Sequence, residues 1–383
     1  MLSWDKRLLA YMTQAAPQEI ALAETSDDSL FATAAWLTSD ASLGFLSVWS
    51  PTFGIGLLEQ MGAWRMELAE VLRRGDWGAR TPRMAGVLDR IHRAKRPPFH
   101  TLTPREARLA YRMGAEILDL PRAPLPRVED LQAAGRPARL YAPSTERLPV
   151  MLYLHGGGFT IGDLETHDSL CRQIALRAGV AVLALDYRLA PEHRFPVAVH
   201  DAQDGLAWLR GAASTLGLQD RFAVGGDSAG ATLAAVLAIL ARDAGWPLAL
   251  QVLITPGTCA WQDTASHRLF SHGFLLDHHV IQWFFRQYID DHDRHDWRFA
   301  PLEADDLSGL APAWIGLAEC DPLVDEGQAY ADRLRMHGVA VELDLRRGVT
   351  HDFIKMGRVL PEASQALDHL AHTLKEALHA QPQ

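Results

Sequence analysis

From about residue 126 onward, short β-rich runs alternate with segments of helical periodicity, and this alternation strongly constrains the fold. The run at 180–186 (VAVLALD) is apolar up to its last residue, as expected of a strand covered by helices on both faces. Such alternation predicts an α/β domain with a mostly parallel sheet. The strand candidates are 138–141, 150–155, 180–186, 222–226, 250–254, 313–318 and 339–345.

The N-terminal part of the chain has a different pattern. Residues up to about 91 are mostly helical in periodicity, for example at 62–74, and a basic, proline-containing stretch follows at 93–99. A further helix is predicted over 104–118, with Thr103 as its N-cap. We therefore predict a helical N-terminal extension or cap at 1–97 and a second domain at 98–383. The helix candidates in that domain's α/β part are 168–177, 201–209, 229–242, 326–336 and 362–378.

Charge and cysteine content exclude several classes of protein. The 383 residues include 37 Lys and Arg against 47 Asp and Glu, a formal net charge of −10. This balance argues against nucleic acid or an anionic membrane as a main partner. The three cysteines lie far apart without CxxC spacing, so buried thiols are expected rather than disulfides or structural zinc. They are Cys171, Cys259 and Cys320.

Two features of the N-terminal part bear on location. The first residues (MLSWDKRLLAYMTQ) are charged early and lack the apolar run of a signal peptide, so cytoplasmic residence is expected. Residues 41–58 carry no charge over nearly the length of a membrane span, but they include Pro51 and several glycines. A buried apolar cap or an oligomer contact is the main interpretation, with membrane contact as the alternative.

The strongest chemical signal is the G-x-S-x-G pattern at 226–230 (GDSAG). It follows a strand candidate and begins a helix candidate, which is the context of a nucleophile elbow. Such a turn raises the serine hydroxyl above the sheet edge, and the helix N-terminus offers free N–H groups to a developing oxyanion. Ser228 is therefore the candidate nucleophile.

A serine hydroxyl needs a base and an orienting acid, in this topology in the order Ser, acid, His. Asp321 follows one strand candidate and His351 follows the last one, so both are predicted at the sheet edge where Ser228 lies. Asp325 is the rival acid but more naturally charges the start of a helix. Asp352 is adjacent to His351, so its side chain should diverge from the imidazole.

Three glycines at 156–158 follow the strand candidate at 150–155. Without side chains, their N–H groups can point toward one place and hold an oxyanion. No metal site is predicted, because the histidine pairs at 278–279 and 292/295 lack an HExxH pattern or flanking cysteines.

Four motifs occur together and in order: HGGGF at 155–159, DYRLAPEH at 186–193, GDSAG at 226–230 and DPLVDE at 321–326. As a set, they resemble the hormone-sensitive-lipase-like (bacterial family IV) carboxylesterases of the α/β-hydrolase fold. The resemblance covers about residue 98 to the C-terminus. It implies a mostly parallel eight-stranded sheet with helices on both faces, and a helical cap that an unusual N-terminal segment extends. Ala231 departs from the family's more common third glycine.

The resemblance also implies roles for individual residues. Ser228 would be the nucleophile, Asp321 the acid and His351 the base. The oxyanion hole would use the N–H groups of glycines 156–158, chiefly Gly157 and Gly158 with Gly156 nearby, and of Ala229. The box at 186–192 would be a structural hub rather than catalytic. A cap insertion around 257–301 would contribute apolar side chains that either line an acyl pocket or form packed cap core. The candidates for substrate binding are Phe274 and Trp283 from this insertion and Phe159 from the HGGGF motif.

The implied function is a serine carboxylesterase that hydrolyses uncharged short- to medium-chain or aromatic esters through an acyl-serine intermediate. No cofactor is expected; the partner is a small-molecule ester, and a homodimer is an open possibility. Amide, lactone or carbamate hydrolysis or acyl transfer would use the same acyl-serine step. A non-catalytic receptor on this fold, or a scaffold acting through 1–93, would be alternatives outside catalysis.

Overall fold

The computed structural model describes residues 82–379, which contain one eight-stranded sheet in the order β1-β2-β4-β3-β5-β6-β7-β8. The β1–β2 and β2–β4 pairs are antiparallel, and all other neighbouring pairs are parallel. This arrangement confirms the predicted mostly parallel sheet of the α/β-hydrolase fold. The strands are β1 Arg127–Ala133, β2 Arg136–Ala142, β3 Val150–Leu154, β4 Ala181–Leu185, β5 Phe222–Asp227, β6 Gln251–Ile254, β7 Ala313–Cys320 and β8 Val341–Thr350.

Within residues 82–379, α-helices precede, connect and follow these strands. Their order fits the helix candidates in the α/β part of the chain, and two cap helices were not predicted. The helices are α1 Pro82–Arg93, α2 Pro104–Gly114, α3 Asp168–Ala178, α4 Val197–Ala212, α5 Ala229–Asp243, α6 Ala265–Leu269, α7 His278–Tyr288, α8 Val324–Met336 and α9 Pro361–His379.

The pleat of the central strands divides the core into two layers. In β3, Val150, Leu152 and Leu154 pack with residues of α4, α5 and α8, whereas Met151 and Tyr153 pack with α1, α3 and α9. All five side chains are fully buried, and burial of each apolar side chain contributes about 1.5–3 kcal/mol. Helices on both faces therefore explain why the strand is apolar at every position.

Helix α1 lies within the predicted N-terminal extension. Its residues Met84, Val87 and Leu88 are buried in the same core layer as α3 and α9. The division at 97/98 stays a prediction. The uncharged stretch 41–58 and the helix predicted at 62–74 lie outside the described residues. Within 82–379, none of the helices has the length and apolar character needed to span a bilayer.

Several elements differ from the sequence prediction. Strand β1 was missed because its sequence (RVEDLQA) carries three charges and lies at the sheet edge with only Ala133 buried. Strand β8 continues to Thr350, where the sequence predicted an end at 345. The cap stretch contains α6 and α7, which the sequence analysis did not assign as helices.

The topology places the candidate side chains at one edge of the sheet. Ser228 follows β5, Asp321 follows β7, and His351 follows β8. These strands are parallel, so their carboxyl ends lie at the same edge, where the crevice of an open α/β sheet forms.

Helix α2 begins with a capping box. The Thr103 hydroxyl accepts from the Glu106 N–H at 3.3 Å, and the Glu106 carboxylate accepts from the Thr103 N–H at 2.9 Å. Farther along the helix, Arg108 donates to the carbonyls of Thr160 and Ala190. The capping box therefore fixes the start of helix α2, which reaches the region of the glycine loop.

We expect Thr103→Ala to lower the melting temperature by roughly 2 °C, because the substitution removes an N-cap acceptor. Thr103→Ser keeps the hydroxyl and should have the melting temperature of the wild type. Thermal unfolding followed by circular dichroism measures both. Equal melting temperatures for the alanine and serine variants would contradict the cap's contribution.

Candidate active site

Ser228 occupies a sharp turn between β5 and α5. Its backbone has φ 52° and ψ −122°, and its N–H donates to the Ile254 carbonyl at 2.8 Å. A positive φ costs a non-glycine residue about 1–3 kcal/mol, so the surrounding structure must enforce it. A Cβ at Gly226 or Gly230 would come within 2.3 or 1.9 Å of the Leu154 carbonyl oxygen. Glycines at these two positions therefore let the elbow approach β3.

The structure brings the three predicted side chains into a hydrogen-bonded series. His351 Nε2 lies 3.0 Å from Ser228 Oγ, and His351 Nδ1 lies 2.7 Å from Asp321 Oδ2. The other oxygen of Asp321 accepts from the Leu323 N–H at 2.9 Å. Asp321 is thereby held by its own loop while it orients the imidazole.

The two rival acids have other positions. Asp325 accepts from the Ser266 N–H at 2.8 Å through Oδ2. Asp352 Oδ1 lies 4.0 Å from His351 Nε2, on the side of the ring that faces the serine. Neither carboxylate reaches His351 Nδ1, which Asp321 occupies.

The protonation of His351 reflects two opposing effects. Burial lowers the pKa of the imidazole, but the adjacent Asp321 carboxylate and its hydrogen bond raise it more, and the pKa of His351 is about 9. Because Asp321 can only accept, Nδ1 carries the proton. In the neutral imidazole, Nε2 is then free to accept the Ser228 hydroxyl proton.

The glycine loop after β3 has positive φ angles and leaves no room for a Cβ at two of its glycines. Gly157 has φ 121° and Gly158 has φ 57°. A Cβ at Gly157 would meet the Ile161 carbonyl oxygen at 2.2 Å, and one at Gly158 would meet the Phe284 ring at 2.2 Å. Among residues 82–379, the N–H groups of Gly157 and Gly158 have no acceptor.

Gly156 differs from the sequence expectation for the oxyanion hole. Its N–H donates to Asp227 Oδ1 at 3.0 Å, so this donor is already engaged. A Cβ at Gly156 would lie 2.2 Å from Asp227 Oδ2, which explains the need for glycine. The candidate oxyanion donors therefore reduce to Gly157, Gly158 and Ala229, the last at the N-terminus of α5.

Asp227 is a functional residue that sequence reasoning missed. Its fully buried carboxylate accepts from Tyr153 Oη at 2.6 Å and from the Gly156 N–H, and it lies 3.2 Å from His167 Nε2. Burial alone would raise the pKa of Asp227, but His167 and these hydrogen bonds hold it well below its usual range. The only sequence signal was a charged residue at the end of an apolar strand.

Residues 186–192 also contact the segment that carries the glycine loop. Tyr187 stacks on His155 with ring centroids 4.4 Å apart and donates to the His155 carbonyl at 2.7 Å. Glu192 forms an ion pair with Arg108, and Arg188 forms another with Asp201. None of these side chains contacts Ser228 or His351 through a hydrogen bond found in the described residues.

The candidate substrate-binding aromatics have different surroundings. Phe159 stacks on Tyr288 at 3.9 Å and Phe274 packs edge-on against Phe270 at 5.0 Å. Both are nearly fully buried in the main core layer, in line with the packed-core alternative. Trp283 instead belongs to a small apolar cluster beside the glycine loop, which also contains Ala107, Ile161, Val280 and Phe284.

Comparison with known proteins places this geometry in context. The family model described as "alpha/beta hydrolase fold" matches residues 151–355. The "Ethyl acetate hydrolase" of Pseudomonas putida is 40% identical over 295 residues, which cover 73% of this chain and 92% of the relative. The "Carboxylic ester hydrolase LipN" of Mycobacterium tuberculosis is 45% identical over 265 residues, which cover 66% of this chain and 70% of the relative.

Solved structures agree with the sequence relatives. A "Pyrobaculum calidifontis esterase" superposes with a TM-score of 0.72 at 37% identity, and the match covers 78% of this chain and 98% of that one. The match extends over nearly the whole of that structure, which indicates that this chain contains the complete fold.

The raised pKa of His351 can be measured directly. We expect the imidazole to titrate near 9 in NMR spectra of histidine-labelled protein, because the buried Asp321 carboxylate favours the imidazolium. Asp321→Asn removes that charge and should lower the pKa of His351, since burial is then opposed only by the weaker effects of Asp352 and Asp227. A His351 pKa that is the same with and without Asp321 would contradict this account.

Proposed function

This chain belongs to the α/β-hydrolase-fold family, in its hormone-sensitive-lipase-like branch, and we propose that it is a serine carboxylesterase acting on small esters. The observation that carries the proposal is the contact of Ser228 Oγ with His351 Nε2 at 3.0 Å, continued to Asp321 at 2.7 Å. A nucleophile, a base and an orienting acid are thereby aligned beside unused backbone donors.

In the proposed acylation step, Ser228 Oγ attacks the ester carbonyl carbon while its proton moves to His351 Nε2. The carbonyl oxygen becomes an oxyanion that accepts from the N–H groups of Gly157, Gly158 and Ala229. His351 then gives the proton to the leaving alkoxide oxygen as the ester C–O bond breaks. The products are an alcohol and an acyl-serine.

Deacylation repeats this chemistry with water. His351 takes a proton from water as the hydroxide attacks the acyl carbon, and the same backbone donors hold the second oxyanion. When the intermediate collapses, the proton returns to Ser228 Oγ and the carboxylic acid leaves. Asp321 keeps the Nδ1 proton throughout as an acceptor and stabilises the transient imidazolium.

Only the neutral form of His351 can act as the base. Because the Asp321 carboxylate raises the pKa of His351 to about 9, the rate should rise as pH increases toward that value. This threshold lies above that of an ordinary histidine, for which the pKa is about 6.5.

The substrate class follows from the side chains nearest the glycine loop. Phe284 lies directly over Gly158, and Ile161, Val280 and Trp283 belong to the same buried cluster. An apolar surface at this position supports uncharged esters with short- to medium-chain or aromatic groups. The same machinery would also accept lactones, carbamates or amides, whose hydrolysis passes through the same acyl-serine.

The intact base argues against the non-catalytic alternative. A ligand receptor on this fold has no need of an imidazole within hydrogen-bond distance of the serine hydroxyl, yet His351 lies there and is buried. Cytoplasmic residence, homodimer formation and a role for the N-terminal extension stay predictions of the sequence.

The proposal is tested with Ser228→Ala. We expect hydrolysis of p-nitrophenyl acetate and p-nitrophenyl butyrate to fall by at least about 10⁴-fold, because no hydroxyl remains to form the acyl-enzyme. Ser214→Ala, at an exposed position outside the motif, is the matched control and should keep the parental rate. Retention of parental activity by Ser228→Ala would refute the proposed function.

Gly158→Ala tests the oxyanion loop separately. The added Cβ would collide with the Phe284 ring and occupy a positive φ, so the loop must shift and its N–H donors with it. Loss of one such donor costs about 3 kcal/mol, and we expect kcat to fall by about 10²-fold or more with less effect on KM. Gly211→Ala, in α4 with nothing within 4 Å of the new Cβ, is the control. An unchanged kcat for Gly158→Ala would exclude this loop from the oxyanion hole.

A further inference from the structure

Three side chains outside the proposed mechanism converge beside the loop that carries Asp321. Cys259 and His267 come from the cap stretch, and Glu326 comes from the first turn of α8. The thiol sulfur, one imidazole nitrogen and one carboxylate oxygen all lie within 4.8 Å of one another. His267 and Glu326 are buried, and Cys259 is partly exposed.

The hydrogen bonds around His267 determine which ring nitrogen carries the proton. Ser266 Oγ donates to the Pro322 carbonyl at 2.6 Å, because a carbonyl can only accept. Thr264 Oγ1 lies 3.0 Å from Ser266 Oγ, so the threonine must be the donor of that pair. His267 Nδ1 lies 2.7 Å from the same threonine oxygen and must therefore donate to it.

His267 Nε2 consequently carries a bare lone pair. Burial lowers the pKa of His267, which favours the neutral ring. Nε2 is itself buried, has no hydrogen-bond partner among the described residues, and lies 3.7 Å from Glu326 Oε2. A lone pair and a carboxylate oxygen that face each other at this distance, without a proton or cation between them, repel each other.

Glu326 is buried, and within residues 82–379 His267 is the only ion-pair candidate found for its carboxylate. Its Oε1 accepts from the Thr258 N–H at 2.9 Å, and its Oε2 accepts from the Cys259 thiol. Burial disfavours the charged form of this carboxylate unless a proton or a cation accompanies it. A cation placed among the three side chains would compensate both the buried carboxylate and the unpaired lone pair of His267.

We propose that Cys259, His267 and Glu326 bind one Zn²⁺ or a similar borderline transition-metal ion. Thiolate, imidazole and carboxylate together are a donor set that suits zinc, whereas Ca²⁺ and Mg²⁺ prefer oxygen ligands alone. Binding converts the Cys259 thiol to a thiolate and releases its proton to solvent.

The distances suit a tetrahedral ion. Zn–S bonds of about 2.3 Å and Zn–N and Zn–O bonds of about 2.0–2.1 Å require ligand atoms roughly 3.5 Å apart. The His267–Glu326 separation of 3.7 Å is already close to this value. The thiol and carboxylate, now joined by a hydrogen bond, must separate when the ion replaces the shared proton. Thr264 is the outer partner that fixes the tautomer of a metal-binding histidine.

The bound ion would join the cap stretch to the loop of the catalytic acid. Ser266, next to His267, already contacts Pro322 and Asp325 on that loop. A metal bridge between His267 and Glu326 adds a second link between the same two segments. We therefore expect the ion to raise the melting temperature of the chain, whether or not the chain hydrolyses esters.

Titration of the metal-free 383-residue chain with Co²⁺ tests the site, because thiolate-bound Co²⁺ has a near-ultraviolet charge-transfer band. We expect this band to saturate at one Co²⁺ per chain and to be displaced by Zn²⁺. Cys259→Ser should abolish the band. Thr264→Val, which retains all three ligands, should weaken binding by about 10–100-fold.

Two controls separate this site from other cysteines and histidines. Cys171→Ala removes a buried thiol elsewhere, and His292→Ala removes the exposed group formed with Asp290 and Asp293. Both variants should keep the band and its stoichiometry. Circular dichroism confirms that each variant is folded; if Cys259→Ser is not, His267→Gln replaces it and should weaken binding at least as much as Thr264→Val. Absence of the band in the wild type, or its survival in folded Cys259→Ser, would overturn the proposal.

Discussion

The buried carboxylate of Asp227 is the interaction on which the geometry of the candidate site depends. It accepts the Gly156 N–H from the loop after β3, while the next residue along its own chain is Ser228. The two loops leave neighbouring parallel strands, paired at Leu154 and Gly226. One hydrogen bond between them therefore fixes the distance between the serine and the glycine donors. Because the bond joins two backbone segments, the donors are already oriented before any charge develops on a substrate.

Local pattern was sufficient to predict most of the fold. Continuous apolar runs such as β4 predicted strands covered by helices on both faces, and the structure confirms the sheet they predict. Edge strand β1 was not predicted, because only one of its residues is buried and its hydrophobic pattern is therefore weak. Helix α7 was not assigned, although its start is capped by Asp277 and its buried residues recur at helical spacing, because its aromatic residues were considered only as pocket or cap-core side chains.

The candidate site likewise has residues that the sequence predicted and contacts that it could not predict. Ser228, Asp321 and His351 were predicted from motif and order, and the structure brings them together at the carboxyl edge of the sheet. The engagement of Gly156 could not be predicted, because its acceptor is a side chain 71 residues away. The cluster of Cys259, His267 and Glu326 has no motif spacing, since its carboxylate is 67 residues from its thiol. Contacts of this kind depend on tertiary structure and leave no periodic signal.

Two histidine–carboxylate pairs use carboxylates from residues 321–326, the segment that leads from β7 into α8, and their chemistry differs for a physical reason. Nδ1 of His351 faces the Asp321 carboxylate directly, so the pKa of that imidazole rises and the ring is suited to carry a proton to and from Ser228. Nδ1 of His267 faces a threonine hydroxyl instead, so burial prevails and its pKa falls. Its other nitrogen then presents a lone pair to Glu326, which favours a metal ion over proton transfer. The partner of a single ring nitrogen thus distinguishes the proposed catalytic imidazole from the proposed metal-binding one within the same structure.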